Sequence, residues 1–277
     1  MRLVSFAAEG QTRVGLKTDA GVFDTGYLNM IDLIQAGEAG LQAVRKAEPL
    51  NKVVTNYELL APLTAPGKIL CSGINYSSHK QENPNAVFPK KPSFFSKLPS
   101  SIIGPNQAIV LPEPESQVDY EVELALVIGR TAKHVAREHA LDYVFGYTIC
   151  NDVSGRDLQF QLQHETIGKG IDSFCPLGPE IVLTDEIPNP AELHVSSYVN
   201  GELRQSSSTS DMLFDIPELI RFVTQYLTLY PGDVITTGTP AGCGTFRVPP
   251  VFLKAGDVVE VCVDRIGRLV NPVVSGW

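Results

Sequence analysis

The sequence predicts an α+β protein in which short strands of a mixed or antiparallel sheet outnumber the helices. Many short apolar segments alternate with turn residues, but only one segment has the signals of a long helix. Asn200 and Gly201 separate two strand-like segments, and both residues tolerate the positive φ of a type I′ hairpin turn. No regular alternation of strands with helices is visible, which favours this class over a parallel α/β fold.

The first 62 residues have the pattern of a small separate unit. Three strand-like segments and one loosely helical segment follow in order: residues 2–8, 13–17, 22–27 and 29–48. Pro62, Pro66 and Gly67 then interrupt regular structure. We therefore predict an N-terminal domain over residues 1–62 and a larger domain over residues 63–277.

The larger domain contains most of the predicted strands and the one persuasive helix. Its main strand-like segments are residues 68–71, 119–128, 145–152, 180–183, 193–199, 202–205, 258–263 and 269–274. Asp215 is a candidate N-cap and Pro217 suits the first helical turn that follows it. Leu219, Ile220 and Val223 recur at helical spacing, so a helix is predicted after Asp215.

Composition limits the possible partners and the compartment. The chain has 277 residues, a net charge of −9 and 43% hydrophobic residues, which indicate a globular protein. A negative net charge argues against binding to nucleic acid or to an anionic membrane. Five scattered cysteines without a C-x-x-C pair suit reduced thiols, and no apolar run approaches a signal peptide or a membrane span. We therefore predict a cytoplasmic protein.

Residues 119–128 carry the clearest chemical signal in the sequence. Side chains alternate between the two faces of a strand, so Asp119, Glu121 and Glu123 share one face. The apolar run after Glu123 suggests that this face enters the protein, where neighbouring carboxylates require a cation or shared protons. Asp152 ends the strand-like segment 145–152 and is a third candidate ligand. The alternatives are a solvated edge strand and, for Asp152, a helix cap.

His79 and Glu82 form a second candidate group, because a spacing of three places them side by side on a helix. A carboxylate beside an imidazole fixes its tautomer and raises its basicity, as a general base for water requires. The polar, proline-containing segment at residues 83–91 resembles a lid. The alternative is an ordinary surface pair.

Four further polar residues lie in glycine-rich or helical settings. Arg156 and Gln159 follow Asp152 by four and seven residues, and Lys169 lies between two glycines that permit a ligand to approach closely. Thr239 belongs to a Thr-Gly-Thr-Pro turn that offers hydroxyl and backbone N–H groups. Each of these residues has a purely structural alternative.

Taken together and in order, these motifs resemble the fumarylacetoacetate hydrolase family. The matching segments are residues 73–76, His79 with Glu82, and residues 95–97, 119–123, 151–152, 156–159, 169–170, 174–179, 199–202, 231–233 and 237–240. The resemblance implies a mixed β-roll core and a homodimer with one divalent cation, Mg²⁺ or Mn²⁺, in each subunit.

The resemblance also implies roles for individual residues. Metal ligands are expected at Glu121, Glu123 and Asp152, and catalytic residues at His79, Glu82 and Lys169. Substrate contacts are expected at Arg156, Gln159, Thr239, Lys97 and Tyr76.

The main functional hypothesis is a metal-dependent hydrolase that cleaves a C–C bond in a 2,4-diketo acid of the acylpyruvate type. Water deprotonated by His79, with Glu82 behind it, would attack the distal carbonyl, and the cation and Lys169 would stabilise the departing pyruvate enolate. The alternatives are decarboxylation of oxaloacetate and isomerisation of an unsaturated keto-diacid at the same site. A metal-binding protein without catalysis is disfavoured, because it would not require the His–Glu pair or Lys169.

Overall fold

A mixed sheet lies at the centre of the molecule. The computed structural model describes residues 1–47, 53–82, 87–113, 116–162 and 164–276, and within them this sheet has eleven strands. They are β1 (Arg2–Ala8), β2 (Gln11–Thr18), β3 (Gly21–Asp24), β4 (Glu58–Leu60), β5 (Ile69–Ser72), β6 (Phe94–Lys97), β7 (Ile102–Ile103), β10 (Val122–Ile128), β11 (Val144–Asn151), β13 (Cys175–Leu183) and β16 (Val234–Thr236). The main path through the sheet is β3-β2-β1-β13-β11-β10-β16-β5-β6.

A second, five-stranded sheet packs against one face of the first, and helices complete the fold. Its strands, in the order β15-β14-β17-β18-β8, are β8 (Ile109–Leu111), β14 (His194–Val199), β15 (Glu202–Ser208), β17 (Val258–Val263) and β18 (Gly267–Ser275). A small sheet pairs β9 (Val118–Asp119) with β12 (Ser154–Gly155). The helices are α1 (Met30–Ala47), α2 (His79–Glu82), α3 (Arg156–Leu162), α4 (Glu165–Lys169) and α5 (Ile216–Tyr226).

Two apolar cores cover the two faces of the large sheet. Leu124 and Tyr147 pack toward the five-stranded sheet, whereas Ala125 and Cys150 face the core that includes Leu33 of α1. Strand pairs are parallel between β5 and β16 and antiparallel between β10 and β11. The mixed sheets with few helices confirm the predicted α+β class.

The N-terminal strands belong to the same sheet as the strands of the larger domain. β1 pairs antiparallel with β13, placing Arg2 opposite Val182 and Leu3 opposite Ile181. Hydrogen bonds of the sheet therefore cross the predicted boundary after residue 62, and the division into two domains stays a prediction. Within the described ranges, no helix has both the length and the apolar character needed to cross a membrane.

Residues 119–128 do not form one continuous strand as predicted. The pairing breaks at Tyr120 and Glu121, because side chains take their backbone N–H groups: Tyr120 donates to Asp119 Oδ1 at 2.9 Å and Glu121 donates to Asn151 Oδ1 at 2.9 Å. β10 then begins at Val122, and all of its residues are buried. The break places Asp119 on a different strand from Glu123, with which it was predicted to share a strand face.

The predicted hairpin and the predicted long helix are both confirmed. Asn200 and Gly201 have φ values of 53° and 78° between β14 and β15, as a type I′ turn requires. Asp215 precedes α5, and its carboxylate accepts the N–H of Glu218 at 3.0 Å.

We expect Asp215→Ala to lower the free energy of unfolding by about 1 kcal/mol, because α5 loses its N-cap. Urea denaturation measures this difference. Asp215→Asn is the matched control, since asparagine retains the capping oxygen while losing the charge that pairs with Arg137. Equal destabilisation by both substitutions would assign the effect to the Arg137 ion pair instead.

Candidate functional site

Three buried carboxylates converge where β10 and β11 run side by side. Glu121 lies just before β10, Glu123 lies on it, and Asp152 directly follows β11. The two strands are tied at this point, since the N–H of Asp152 donates to the carbonyl oxygen of Glu121 at 2.9 Å. One carboxylate oxygen from each residue lies within 4.8 Å of the others. The structure thus brings together the three carboxylates that the sequence singled out.

Two lysines contact this triad from opposite sides. Lys169 Nζ, at the end of α4, donates to Glu121 Oε2 and to Asp152 Oδ2, both at 2.7 Å. Lys97 Nζ, at the end of β6, donates to Asp152 Oδ1 at 2.5 Å and to the carbonyl oxygen of Val153 at 3.0 Å. The carboxylate of Asp152 therefore lies between two buried ammonium groups.

Asp119, which was predicted to share a strand face with Glu121 and Glu123, anchors Arg156. Its Oδ2 accepts Arg156 Nε at 3.0 Å and Nη2 at 2.9 Å, and its two oxygens also accept the N–H groups of Gly244 and Thr245. Arg156 Nη2 reaches Glu121 Oε1 at 2.5 Å. Asp119 is thus a positioning residue for the guanidinium group, a role that alternation along a strand did not reveal.

The buried charges do not balance. The carboxylates of Asp119, Glu121, Glu123 and Asp152 face the cations of Lys97, Arg156 and Lys169, so one negative charge is in excess. Among the described residues, no cationic side chain forms a salt bridge with Glu123.

The pKa values of Glu121 and Glu123 show which carboxylate has a negative charge that no cationic side chain offsets. Burial opposes ionisation of Glu121, but Lys169 and Arg156 outweigh it and lower its pKa to about 2. For Glu123, burial and then the charges of Asp152 and Glu121 raise the pKa well above its usual range. A cluster of oxygen donors with uncompensated negative charge suits a hard divalent cation such as Mg²⁺ or Mn²⁺. The residues present therefore fit the predicted metal site.

The Thr-Gly-Thr turn after β16 closes the triad on one side. The N–H of Gly238 donates to Glu123 Oε2 at 2.8 Å. Gly238 has φ +83°, and a Cβ there would lie 2.9 Å from the carbonyl oxygen of Gly73, so the position requires glycine. The turn thus supplies a backbone donor to the carboxylate that lacks a cationic partner.

His79 and Glu82 form the predicted pair on the short helix α2. His79 Nδ1 lies 3.0 Å from Glu82 Oε2, and each side chain is 12% exposed. Glu82 Oε1 accepts the N–H of Gly242, and the ring of Phe246 meets the imidazole edge-on at 6.2 Å between centroids. Burial and these contacts exclude the alternative of an ordinary surface pair.

One cavity of about 390 Å³ joins the dyad to the triad. Nine predicted site residues line it: His79, Glu82, Glu121, Glu123, Asp152, Arg156, Gln159, Lys169 and Thr239. Phe95, Phe160 and Phe246 supply apolar walls. This volume suits a small organic acid. Of the lid-like segment at residues 83–91, residues 83–86 lie outside the described residues.

Lys97 and Tyr76 are not placed as predicted. Both are buried, at 2% and 0% exposure, and neither lines the cavity. Lys97 lies behind Asp152, so it contacts a ligand carboxylate and not the space for substrate. Tyr76 forms a bridge to Met212 beneath the dyad. The sequence motifs placed these two residues near the site, but they did not predict that neither side chain lines the cavity.

The fold and this site define a class of protein with a cluster of buried carboxylates that could hold a metal ion. The model of the fumarylacetoacetate hydrolase C-terminal domain matches residues 68–274. This chain belongs to the fumarylacetoacetate hydrolase family.

Relatives within the family differ in the reactions for which they are named. A rat (Rattus norvegicus) protein named oxaloacetate tautomerase Fahd2a, mitochondrial, is 43% identical over 99% of this chain and 92% of its own. A maleylpyruvate hydrolase from Sphingobium sp. SYK-6, solved with manganese(II) and pyruvate, is 34% identical, with a TM-score of 0.85 and full coverage of both chains. A 5-carboxymethyl-2-hydroxymuconate delta-isomerase from Mycobacterium smegmatis is 36% identical, with a TM-score of 0.81 and full coverage of both chains.

The predicted cytoplasmic location is contradicted by these comparisons, because the rat relative is named as a mitochondrial protein. The cysteines are free, as is typical of compartments that keep thiols reduced, but this pattern does not distinguish among such compartments. The inference from cysteine content was therefore too narrow.

We expect Glu123→Gln to weaken Mn²⁺ binding by more than about 100-fold. This loss is larger than the loss of metal affinity that follows substitution of residues that only support the ligands. In chelator-treated protein the same substitution should raise the free energy of unfolding, because it removes a carboxyl group whose ionisation is opposed by burial, Asp152 and Glu121, and it retains an acceptor for Gly238. Calorimetric titration with Mn²⁺ and urea denaturation measure the two effects.

Glu180→Gln is the matched control for this prediction. Glu180 is also buried, but Arg2 Nη1 and Lys17 Nζ each donate to it at 2.5 Å, away from the cavity. Its substitution should lower stability and leave Mn²⁺ affinity unchanged. Unchanged Mn²⁺ affinity in Glu123→Gln would contradict the assignment of the triad.

Proposed function

We propose that this chain catalyses the keto–enol tautomerisation of oxaloacetate. The observation that carries this choice among reactions is the 43% identity, over 99% of the chain, to an oxaloacetate tautomerase. Of the hypotheses drawn from the sequence, the alternative with oxaloacetate as substrate therefore has better support than hydrolysis of a 2,4-diketo acid. The reaction in the name of the relative is tautomerisation, whereas the sequence analysis considered decarboxylation.

Tautomerisation moves one proton and breaks no carbon–carbon bond. Toward the keto form, the hydroxyl on C2 loses its proton and C3 gains one; toward the enol form, both transfers reverse. Both directions pass through an enolate with negative charge on the C2 oxygen. The site must therefore stabilise that charge and hold a proton close to C3.

The triad side of the cavity meets the first requirement. When bound by Glu121, Glu123 and Asp152, a divalent cation would supply positive charge that stabilises the enolate oxygen. Lys169 contributes a second, buried positive charge on the same wall of the cavity. Positive groups held in place before the reaction stabilise developing charge more strongly than solvent does.

The dyad meets the second requirement. The contact between His79 Nδ1 and Glu82 leaves Nε2 as the ring nitrogen that exchanges a proton with the substrate. Glu82 is itself held by the N–H of Gly242, so the imidazole is oriented from behind. His79 thus accepts the proton from one position and returns it to the other.

Hydrolysis of a C–C bond is the second candidate, and the manganese and pyruvate in the structure of the Sphingobium hydrolase favour it. It uses the same charge-stabilising wall, but His79 would then activate water. The two candidates differ in whether pyruvate is released.

The decisive experiment follows enol absorbance and pyruvate release together. With Mg²⁺ or Mn²⁺ the enzyme should accelerate the approach of oxaloacetate to its keto–enol equilibrium without forming pyruvate, and chelator should abolish the acceleration. Pyruvate formed from oxaloacetate would identify a decarboxylase. Pyruvate formed from acylpyruvates, with no effect on the keto–enol equilibrium, would identify a hydrolase.

We expect His79→Ala to reduce tautomerisation by about 100-fold or more, since a positioned acid–base group contributes at least this factor. Its Mn²⁺ affinity should stay unchanged, because His79 contacts none of the three ligands. His139→Ala is the matched control: His139 also pairs with a carboxylate three residues on, Asp142, but it is 68% exposed and outside the cavity. Wild-type tautomerisation by His79→Ala would exclude the dyad from the reaction.

A further inference from the structure

Gln205 is a fully buried amide on the second sheet that reaches the backbone of Val122, between Glu121 and Glu123. It lies on β15, is 1% exposed and was not among the residues that the sequence singled out. Its Oε1 accepts the N–H of Val122 at 3.0 Å and the hydroxyl of Ser197 at 2.8 Å. Its Nε2 donates to Thr239 Oγ1 at 2.8 Å and to the carbonyl oxygen of Pro240 at 2.9 Å.

These partners fix the orientation of the amide. The N–H of Val122 is only a donor and the carbonyl oxygen of Pro240 is only an acceptor, so oxygen must face the first and nitrogen the second. All four hydrogen-bonding positions of the amide are then occupied. Gln205 therefore has no polar capacity left for a substrate.

The hydroxyl of Thr239 is committed by the same network. It donates its single proton to the carbonyl oxygen of Val122 at 2.9 Å and accepts from Gln205. To donate to a substrate, it would have to give up the bond to Val122. The substrate contact predicted for Thr239 is thus secondary to a contact with the strand.

Both contacts act on the residue between two metal ligands. The N–H and C=O of one strand residue point to the same edge, and backbone pairing of β10 with β16 begins only at Ala125. On this edge of Val122, the side chains of Gln205 and Thr239 take the place of a neighbouring strand. They hold the peptide groups from which Glu121 and Glu123 project.

We propose that Gln205 and Thr239 form a positioning pair that holds Glu121 and Glu123 at the spacing needed to bind one divalent cation. The inference rests on the metal site of the proposed function, but not on which reaction the enzyme catalyses. Gln205 touches neither the cavity nor the ligand carboxylates, so it acts through the backbone of Val122.

The test is Mn²⁺ titration of Gln205→Met and Thr239→Val in the absence of substrate. Each substitution retains approximate volume and removes the hydrogen bonds, so each should weaken Mn²⁺ binding by about 10–100-fold, as supporting residues outside the ligand set do. The double variant should bind Mn²⁺ about as tightly as the single variant with the lower affinity, because the two residues act on one peptide segment. Thr239→Ser retains the hydroxyl and should restore wild-type affinity.

Asn271→Leu is the matched control. Asn271 is an equally buried amide on the same five-stranded sheet, and its Nδ2 donates to the carbonyl oxygens of Gly104 and Gln107 at 2.9 and 2.8 Å. Its loss should lower thermal stability and leave Mn²⁺ affinity unchanged. Circular dichroism identifies variants that do not fold. If Gln205→Met does not fold, Thr239→Val tests the proposal.

Two results would overturn the proposal. One is folded Gln205→Met protein with wild-type Mn²⁺ affinity. The other is Thr239→Val protein with wild-type Mn²⁺ affinity and a raised KM, which would assign the hydroxyl to the substrate. The Mn²⁺ affinities in both results are independent of the proposed reaction, because they are measured without oxaloacetate; only the KM requires turnover.

Discussion

Repulsion among buried carboxylates is the constraint on which the site depends. Glu121, Glu123 and Asp152 place ligand oxygens within 4.8 Å of one another inside the protein, where like charges interact much more strongly than in water. Lys97, Lys169 and Arg156 offset this charge only in part, and Glu123 is left with a backbone donor. A cluster of this kind is costly to fold, and a bound dication would offset that cost.

The backbone around the triad is held by side chains where strand pairing stops. Asn151 accepts the N–H of Glu121, and Gln205 and Thr239 take both polar groups of Val122. A regular ladder would have satisfied the groups of Val122 with a neighbouring strand. The side chains of Gln205 and Thr239 take the place of that strand, so no backbone group of Val122 is left unsatisfied.

Local sequence patterns predicted those parts of the structure that depend on spacing along the chain. The Asn200–Gly201 turn, the cap at Asp215 and the pairing of His79 with Glu82 follow from residue type and interval, and the structure confirms them. Asp119 and Gln205 have roles set by partners 37 and 83 residues away, which no local period encodes. The break at Tyr120 has the same origin, since side chains compete with the ladder for backbone donors.

The site divides into a part that is common to several reactions and a part that selects among them. The triad and Lys169 lie at the ends of strands and helices within the sheet layers, and stabilising an enolate oxygen is useful in tautomerisation, isomerisation and C–C hydrolysis alike. The dyad lies on the four-residue helix α2, where Glu82 accepts the N–H of Gly242 and the ring of His79 meets Phe246; just before the helix, the N–H of Ser78 donates to Asp211 at 3.0 Å. The relatives are similar to this chain along its whole length and are named for different reactions, as expected when function is set by the site and not by the fold.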